Sequence, residues 1–477
     1  MLFNSLEYLI FLPAAFIIYW ALRRSVLWQH LFIIGASYIF YGWWDWRYLA
    51  LIGGYTTWAF CAGVLLGKTS GATRKAVMWA SVAINLGVLG AYKYFDFFAA
   101  SLSRLLQSAG VHTDWATLNL VLPVGISFFT FQALGYIIDV YRGKVAPCRD
   151  VTAFFAFVSF FPQLVAGPIE RADALLPQFR RERTFRYGEA VTGMKQILWG
   201  LFKKMVIADN CSHAVSYIFH YSGELGWENL ALGALFFTFQ IYGDFSGYSD
   251  IAIGSARLLG IRLVDNFIFP FFSRNVSELW RRWHRSLNQW FTDYVYIPLG
   301  GSREGTVTTV RNLLIVFGLS GLWHGASWTY VAWGLFNGCA MIIYLFYRRT
   351  RKPLSHTRHP HGRLRAILST GSTFAVLCVG FVIFRCHSIS HAASYLLRMF
   401  TLQPGTAEPY KYTASLLCYI GAFILIEFMN RHRAFGFDFP HEGVLRHRTA
   451  RWALCWLTAM ATFILAGSSS DFIYFQF

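Results

Sequence analysis

Apolar runs close to 20 residues long recur from one end of this 477-residue chain to the other, and basic residues gather between them. Wound as an α-helix, such a run matches the roughly 30 Å hydrocarbon core of a bilayer. A helix satisfies its own backbone there, so the repeated runs predict an all-α polytopic membrane protein. Charged residues make up 14% of the chain, well under the roughly 25% of soluble domains, which argues against a soluble fold. The first run, residues 6–22, has neither a basic n-region nor a small-residue cleavage site and reads as a retained helix.

Hydropathy drafts the early spans as residues 6–22, 31–44, 48–66, 76–92 and 118–141. Later spans cover 191–208, 230–245, 367–384, 414–428 and 453–466, with a pair of segments at 313–322 and 330–347. The Trp43-Trp44-Asp45-Trp46 cluster reads as an aromatic interface belt. Residues 93–110 carry Phe95, Phe97, Phe98, Leu102, Leu105 and Leu106 among polar residues, which predicts an interfacial amphipathic helix. The stretch 151–167 is apolar but short and ends in Gly167-Pro168, which fits a re-entrant or buried helix. Residues 251–263 form a weaker segment, and 274–311 form the longest charged and aromatic block.

Basic stretches after Arg24, Lys68, Arg142, Arg171, Arg348 and Arg431 can all lie inside if both termini lie outside. That scheme needs an even number of crossings: about twelve, or about ten if the pair around His324 is re-entrant. The net charge of +18 would suggest nucleic acid in a soluble protein. Here the charge follows the positive-inside pattern, so membrane lipids are expected as partners and nucleic acid is not. Eight scattered cysteines without a CxxC pair read as small buried hydrophobes. No internal repeat is evident, so inverted-repeat transporter folds lose support. The chain reads as a single domain over 1–477, with N-terminal helices at 1–150, the chemistry-bearing motifs at 151–345 and C-terminal helices at 346–477.

The strongest candidate for chemistry is His324, in Ser320-Gly321-Leu322-Trp323-His324-Gly325. An ionisable side chain at membrane depth is costly and marks a functional site by default. Histidine titrates near neutrality, which suits proton transfer. Gly321 and Gly325 remove bulk where a ligand or a backbone approaches, and Trp323 and Trp328 would wall a tunnel. The competing reading is a hydrogen-bonded histidine in a helix-packing interface.

A second histidine, His284, lies in the basic strip Leu279-Trp280-Arg281-Arg282-Trp283-His284-Arg285, and the two settings suggest one site reached from more than one side. At helical spacing Trp280, Trp283 and Trp290, with Leu287, form an apolar stripe, while Arg281, Arg285 and Asn288 fall near another face. Those guanidinium groups could receive a phosphate-bearing carrier arm. A solvated cytoplasmic helix explains the strip equally well.

Asp244, Tyr248 and Asp250 belong to a dense polar run, Gln240 to Asp250, in which the glycines would allow a helix break lining a cavity. No histidine spacing supports metal binding there, and no metal is expected. Phe161 to Arg171, with Pro162, Gly167 and Pro168, reads as a helix break and turn, either a bend or a site wall. No GxSxG elbow, P-loop or HExxH motif is present, which disfavours serine-triad hydrolysis and ATP-driven work.

Several stretches together resemble the membrane-bound O-acyltransferase (MBOAT) family, and most closely its bacterial alginate O-acetyltransferase (AlgI-like) branch. They are Pro162 to Ile169, Asp244 to Ala252, Leu279 to Trp290, Tyr294 to Gly301 and Gly321 to Gly325, together with the opening Met1 to Ser5 and the closing Phe472 to Phe477. The resemblance covers nearly the whole chain. It implies a tunnel or thinned region of the membrane, so the expected fold is an all-helical bundle of about 10–12 transmembrane helices, as hydropathy counts them, with re-entrant and amphipathic helices around a central funnel or tunnel.

The resemblance also implies that His324 is the essential catalytic histidine and His284 the second polar site residue. His324 would act as general base while an acceptor hydroxyl attacks a thioester carbonyl. Trp323, Asn288, Arg281, Arg285, Asp244 and Tyr248 would contribute to substrate or donor binding. No bound cofactor is expected; acetyl-CoA or an acyl carrier protein thioester would be the donor substrate, entering from the cytoplasm. The implied setting is a bacterial inner membrane, with acetyl passed to a periplasmic partner acetyltransferase that modifies an exopolysaccharide. Two other readings remain open at this level: D-alanyl or other acyl transfer to a cell-wall polymer, and a non-catalytic scaffold or transporter of a polysaccharide-export complex. The basic loop 348–365 suggests only contact with anionic lipid or a carrier.

Overall fold

The computed structural model describes residues 1–111, 117–350, 362–440 and 442–475, and most of the basic loop 348–365 lies outside them. Among the described residues the regular structure is helical and includes no strand. Val26–Lys68, Gly71–Ser108, Thr306–His324, Trp328–Thr350 and Arg363–Arg385 are long and apolar enough to cross a membrane. Leu6–Ala21, Ile126–Tyr141 and Thr413–Met429 are shorter apolar helices. The chain is an all-α, multi-pass membrane protein. It forms two compact units: Met1–Met194 with Ala252–Val264, and Lys195–Ile251 with Asp265–Phe477.

In the first unit the short apolar stretch 151–167 folds as two buried helices, Val151–Ser159 and Phe161–Leu164. The Gln163 amide donates to the Phe157 carbonyl at 2.8 Å, so the break is a hydrogen-bonded bend. The expected span 118–141 is shorter than hydropathy suggests. Its helix begins only at Ile126, after Gly125 takes a left-handed conformation with φ of 76°. The Leu118 and Asn119 amides donate to the Asp96 carboxylate at 2.8 and 3.0 Å, giving these residues a non-helical anchor. The helix Phe95–Ser108 has no buried residue and exposes Phe95, Phe98, Leu102 and Leu105, as an interfacial helix must.

In the second unit the polar run at 240–250 differs from expectation. It does not break but continues inside one helix, Trp227–Leu258. A Cβ at Gly243 would lie 2.9 Å from the Lys203 carbonyl oxygen, and one at Gly247 would lie 2.7 Å from that of Gly200. These glycines permit close backbone approach, as in other small-residue membrane packings. The cysteines also depart from a uniformly buried set: all eight are free, and Cys61, Cys339 and Cys418 are exposed.

The stripe expected from a continuous helix around Trp280 and Trp290 is likewise interrupted. Two short helices, Val276–Arg282 and Arg285–Phe291, flank His284, which sits at φ 44°, ψ 53°. A left-handed backbone at a non-glycine residue is strained and persists only where its surroundings enforce it. Asn288 is one enforcer, because its amide donates to the Trp280 and Trp283 carbonyls at 2.7 and 2.6 Å.

Candidate functional site

His324 ends the helix Thr306–His324, and Gly325 follows it in extended conformation. The next helix, Trp328–Thr350, packs so closely that a Cβ at Gly325 would overlap the Tyr330 ring. Trp333 of that helix places its ring 5.1 Å from the His324 ring, nearly perpendicular, and Phe384 lies 5.6 Å away. His324 is 6% exposed and His284 2% exposed, yet their ring centroids are only 6.4 Å apart. Residues 40 positions apart in sequence thus share one buried aromatic chamber.

The left-handed turn at His284 aims its ring into this chamber. Trp323 lies 5.8 Å from the ring and Phe245 4.6 Å, edge-on. On its other side the His284 Nδ1 lies 3.1 Å from the Asn266 Oδ1, which also accepts from the Ser286 hydroxyl at 2.9 Å. An acceptor oxygen there requires Nδ1 to carry the proton, leaving the lone pair on Nε2. Burial, and secondarily the neighbouring His324, hold the His284 pKa well below its ordinary value, so the ring is neutral near pH 7.

The C-terminal strap, residues 467–475, brings in a residue that sequence reasoning did not single out. The Tyr474 hydroxyl lies 3.2 Å from the His324 Nδ1, and the Tyr474 ring packs 4.5 Å from Phe245. Burial raises the Tyr474 pKa well above its usual value, so the phenol keeps its proton until a base removes it. A histidine and a hydroxyl at hydrogen-bond distance are the elements of an activated nucleophile. The only sequence signal for Tyr474 was the closing stretch from Phe472, to which no chemistry attached; Asn266, Trp333 and Phe384 gave none.

The other expected site residues fall in three places. Trp323 stands beside both histidines, its ring 5.1 Å from that of His324. Asn288 holds the backbone break, while Arg281 and Arg285 are exposed, the first donating to Ser277 and the second to the Asp265 carbonyl. Asp244 and Tyr248 contact the strap: Asp244 accepts from the Ile473 amide at 2.6 Å, and the Tyr248 ring lies 4.5 Å from Phe472. Trp328, expected as a tunnel wall, is 49% exposed, and Trp333 is the tryptophan of that helix that packs on His324.

An all-helical membrane protein that buries a neutral histidine beside a second histidine, with a partly buried tyrosine hydroxyl in reach, is equipped for proton transfer to or from a hydroxyl. Comparison with known proteins identifies the class. Residues 150–390 match the membrane-bound O-acyltransferase family. The chain is 38% identical over 404 residues to a probable alginate O-acetylase of Pseudomonas putida, covering 84% of this chain and 80% of that one. It is 34% identical over 430 residues to a peptidoglycan O-acetyltransferase of Helicobacter pylori, again covering 84% and 80%. To a teichoic acid D-alanyltransferase of Bacillus subtilis it is 28% identical over 286 residues, covering 57% and 71%. The chain belongs to the membrane-bound O-acyltransferase family and is an O-acyltransferase.

Proposed function

We propose that this enzyme takes acetyl from a thioester donor on the cytoplasmic side of a bacterial inner membrane and passes it outward for O-acetylation of an exopolysaccharide of alginate type. The observation that carries the reading is the pairing of buried His324 with the partly buried Tyr474 hydroxyl. His324 is the base and Tyr474 the first hydroxyl within its reach. The phenol oxygen attacks the thioester carbonyl carbon and a C–O bond forms as the C–S bond breaks. The phenol proton passes to His324, which returns it to the leaving thiolate. In a second step a hydroxyl of a periplasmic partner acetyltransferase, or of the polymer itself, attacks the tyrosyl ester; the tyrosyl C–O bond breaks as the new one forms, and His324 carries the acceptor's proton to the phenolate, regenerating Tyr474. Neutral His284, 6.4 Å from His324 between ring centroids, adds a further polar group to a chamber walled mostly by aromatic rings.

Acetyl-CoA or an acyl carrier protein would supply the thioester, with the exposed Arg281 and Arg285 available to pair with its phosphate. Both chain ends would then face the periplasm. Acetyl is favoured over D-alanyl because the acetyl-transferring relatives are more similar and are matched over more of this chain.

The test compares the acetyl content of exopolysaccharide in a deletion strain complemented by wild type, His324→Ala or Tyr474→Phe at matched membrane levels. Loss of a general base costs about 10²–10⁴-fold in rate, so acetylation should collapse with His324→Ala. Tyr474→Phe should do the same, and mass spectrometry of the wild-type C-terminal peptide should detect an acetyl group on Tyr474. Unchanged acetylation with His324→Ala would leave the chain a conduit or scaffold for another enzyme.

A further inference from the structure

We propose that Lys204, Asp209 and Asp244 are positioning residues that seat the C-terminal strap and so hold the Tyr474 hydroxyl at His324. The inference rests on the reading of Tyr474 as the hydroxyl that His324 serves. Its starting point is a cluster of buried ions the chemistry itself does not use. The helix Tyr187–Phe202 runs into a π turn, Lys203–Ala208, before continuing as Asp209–His220. Such turns are rare and concentrate where a helix does something other than pack. Here the Met205 carbonyl accepts from the Gly467 amide at 2.9 Å, at the start of the strap.

Lys204 leaves the same turn with its ammonium group 2.8 Å from both Asp209 and Asp244. All three residues are buried. One cation facing two carboxylates leaves a net negative charge out of water, which is costly unless other donors complete it. The strap supplies those donors. The Ser470 hydroxyl donates to Asp209 Oδ1 at 2.6 Å and the Ile473 amide donates to Asp244 Oδ2 at 2.6 Å. Lys204 in turn donates to the Ser470 carbonyl at 2.9 Å.

The cluster is therefore electrostatically complete only with the strap in place. Its last contact, at Ile473, falls one residue before Tyr474. Phe472 and Tyr474 flank the first residue of a short 3-10 turn, Ile473–Phe475; their rings stack 5.7 Å apart and pack on Tyr248 and Phe245. The ions fix the backbone, the rings fix the rotation, and the hydroxyl arrives at Nδ1.

Two variants separate seating from simple folding. Asp209→Asn weakens the cluster from the body side. Gly467→Val keeps all three charges but wedges the strap: a Cβ there would meet the Asn210 nitrogen and the Asp209 carbonyl carbon at 2.9 Å and the Asp209 Cβ at 3.2 Å. Each is combined with Ile473→Cys in the full-length protein, since Ile473 is 2% exposed in the seated strap. Labelling by a charged maleimide is measured above that of the same chain without Ile473→Cys, beside acetyl content and thermal midpoint. We expect at least tenfold faster labelling and at least tenfold lower acetylation per folded protein in both variants, measured well below the thermal midpoint of each. Ser470→Thr, which keeps the hydroxyl donor, should restore what Ser470→Ala loses. A strap that stays protected in both variants overturns the proposal, and so does one that becomes reactive while acetylation persists. Should His324→Ala prove active, the catalytic reading fails by itself, and the labelling still reports on seating.

Discussion

Replacing Gly321 with alanine tests whether helix contact holds His324 in place. An alanine Cβ would lie 2.9 Å from the Tyr330 carbonyl carbon and 3.3 Å from the Val331 Cα, with the Tyr330 carbonyl oxygen closer still. All are backbone atoms, so no rotamer change relieves the overlap. Carbon atoms pack at about 3.5–4.0 Å, so the carbonyl carbon alone demands a separation of about 0.6 Å, and the oxygen raises it to about 1 Å. His324 lies one turn along the same helix from Gly321 and moves with it. A displacement of about 1 Å at a reacting group costs roughly 100-fold, or about 2.7 kcal/mol in the barrier. Overpacking also destabilises the fold by about 1–3 kcal/mol, so activity must be normalised to folded protein in the membrane. The control is Gly318→Ala on the same helix, where the new methyl would meet only the Leu335 Cδ2 at 3.6 Å, an ordinary contact. The assay is acetyl transfer to exopolysaccharide at matched abundance. If Gly321→Ala matched Gly318→Ala, His324 would not depend on this helix pair for its position.

Asn266→Leu removes the oxygen that accepts from His284 Nδ1 and from Ser286. Leaving those buried donors unmade costs about 1–3 kcal/mol of stability, and acetylation should fall at least tenfold as His284 loses its fixed orientation; wild-type activity would show that the orientation is immaterial. His284 also sets a pH dependence. Its pKa is depressed in the folded chain by burial first and His324 second, so below the unfolded pKa of about 6.5 the unfolded state binds a proton that the folded state refuses. Stability should therefore fall by about 1.4 kcal/mol per pH unit below ~6.5, and a series of thermal midpoints should show His284→Gln flattening that slope. An identical slope in both proteins would mean that His284 is not the group responsible.

Membrane residence and helical class were legible in the sequence because both depend on local composition: a bilayer admits backbone only as helix or closed barrel, and an apolar run declares itself. His324 was legible for the same reason, as an ionisable group where solvent is absent. Its surroundings were not. The stripe of Trp280, Trp283 and Trp290 carries a helical period, yet the helix breaks at His284, because Asn266 and Asn288 hold a left-handed turn that no periodicity encodes. The Gln240–Asp250 run looked like a cavity lining, because polar residues and glycines have that composition whether they line a cavity or pack a helix. Its glycines instead allow backbones to touch, and its Asp244 is paired to Lys204 and the strap.

By itself, then, the sequence determined the solvent this chain folds in, the helical class that follows from it, and the histidine that such a solvent makes conspicuous. Tertiary structure alone decided what that histidine faces. Tyr474 lies 150 residues away in an unremarkable aromatic tail, and its hydroxyl reaches Nδ1 through tertiary contacts: the buried charges at Lys204, Asp209 and Asp244 and the rings of Phe245 and Tyr248. Long-range pairing of that kind depends on where buried charge must be neutralised, a property of the folded interior and not of any local stretch of sequence.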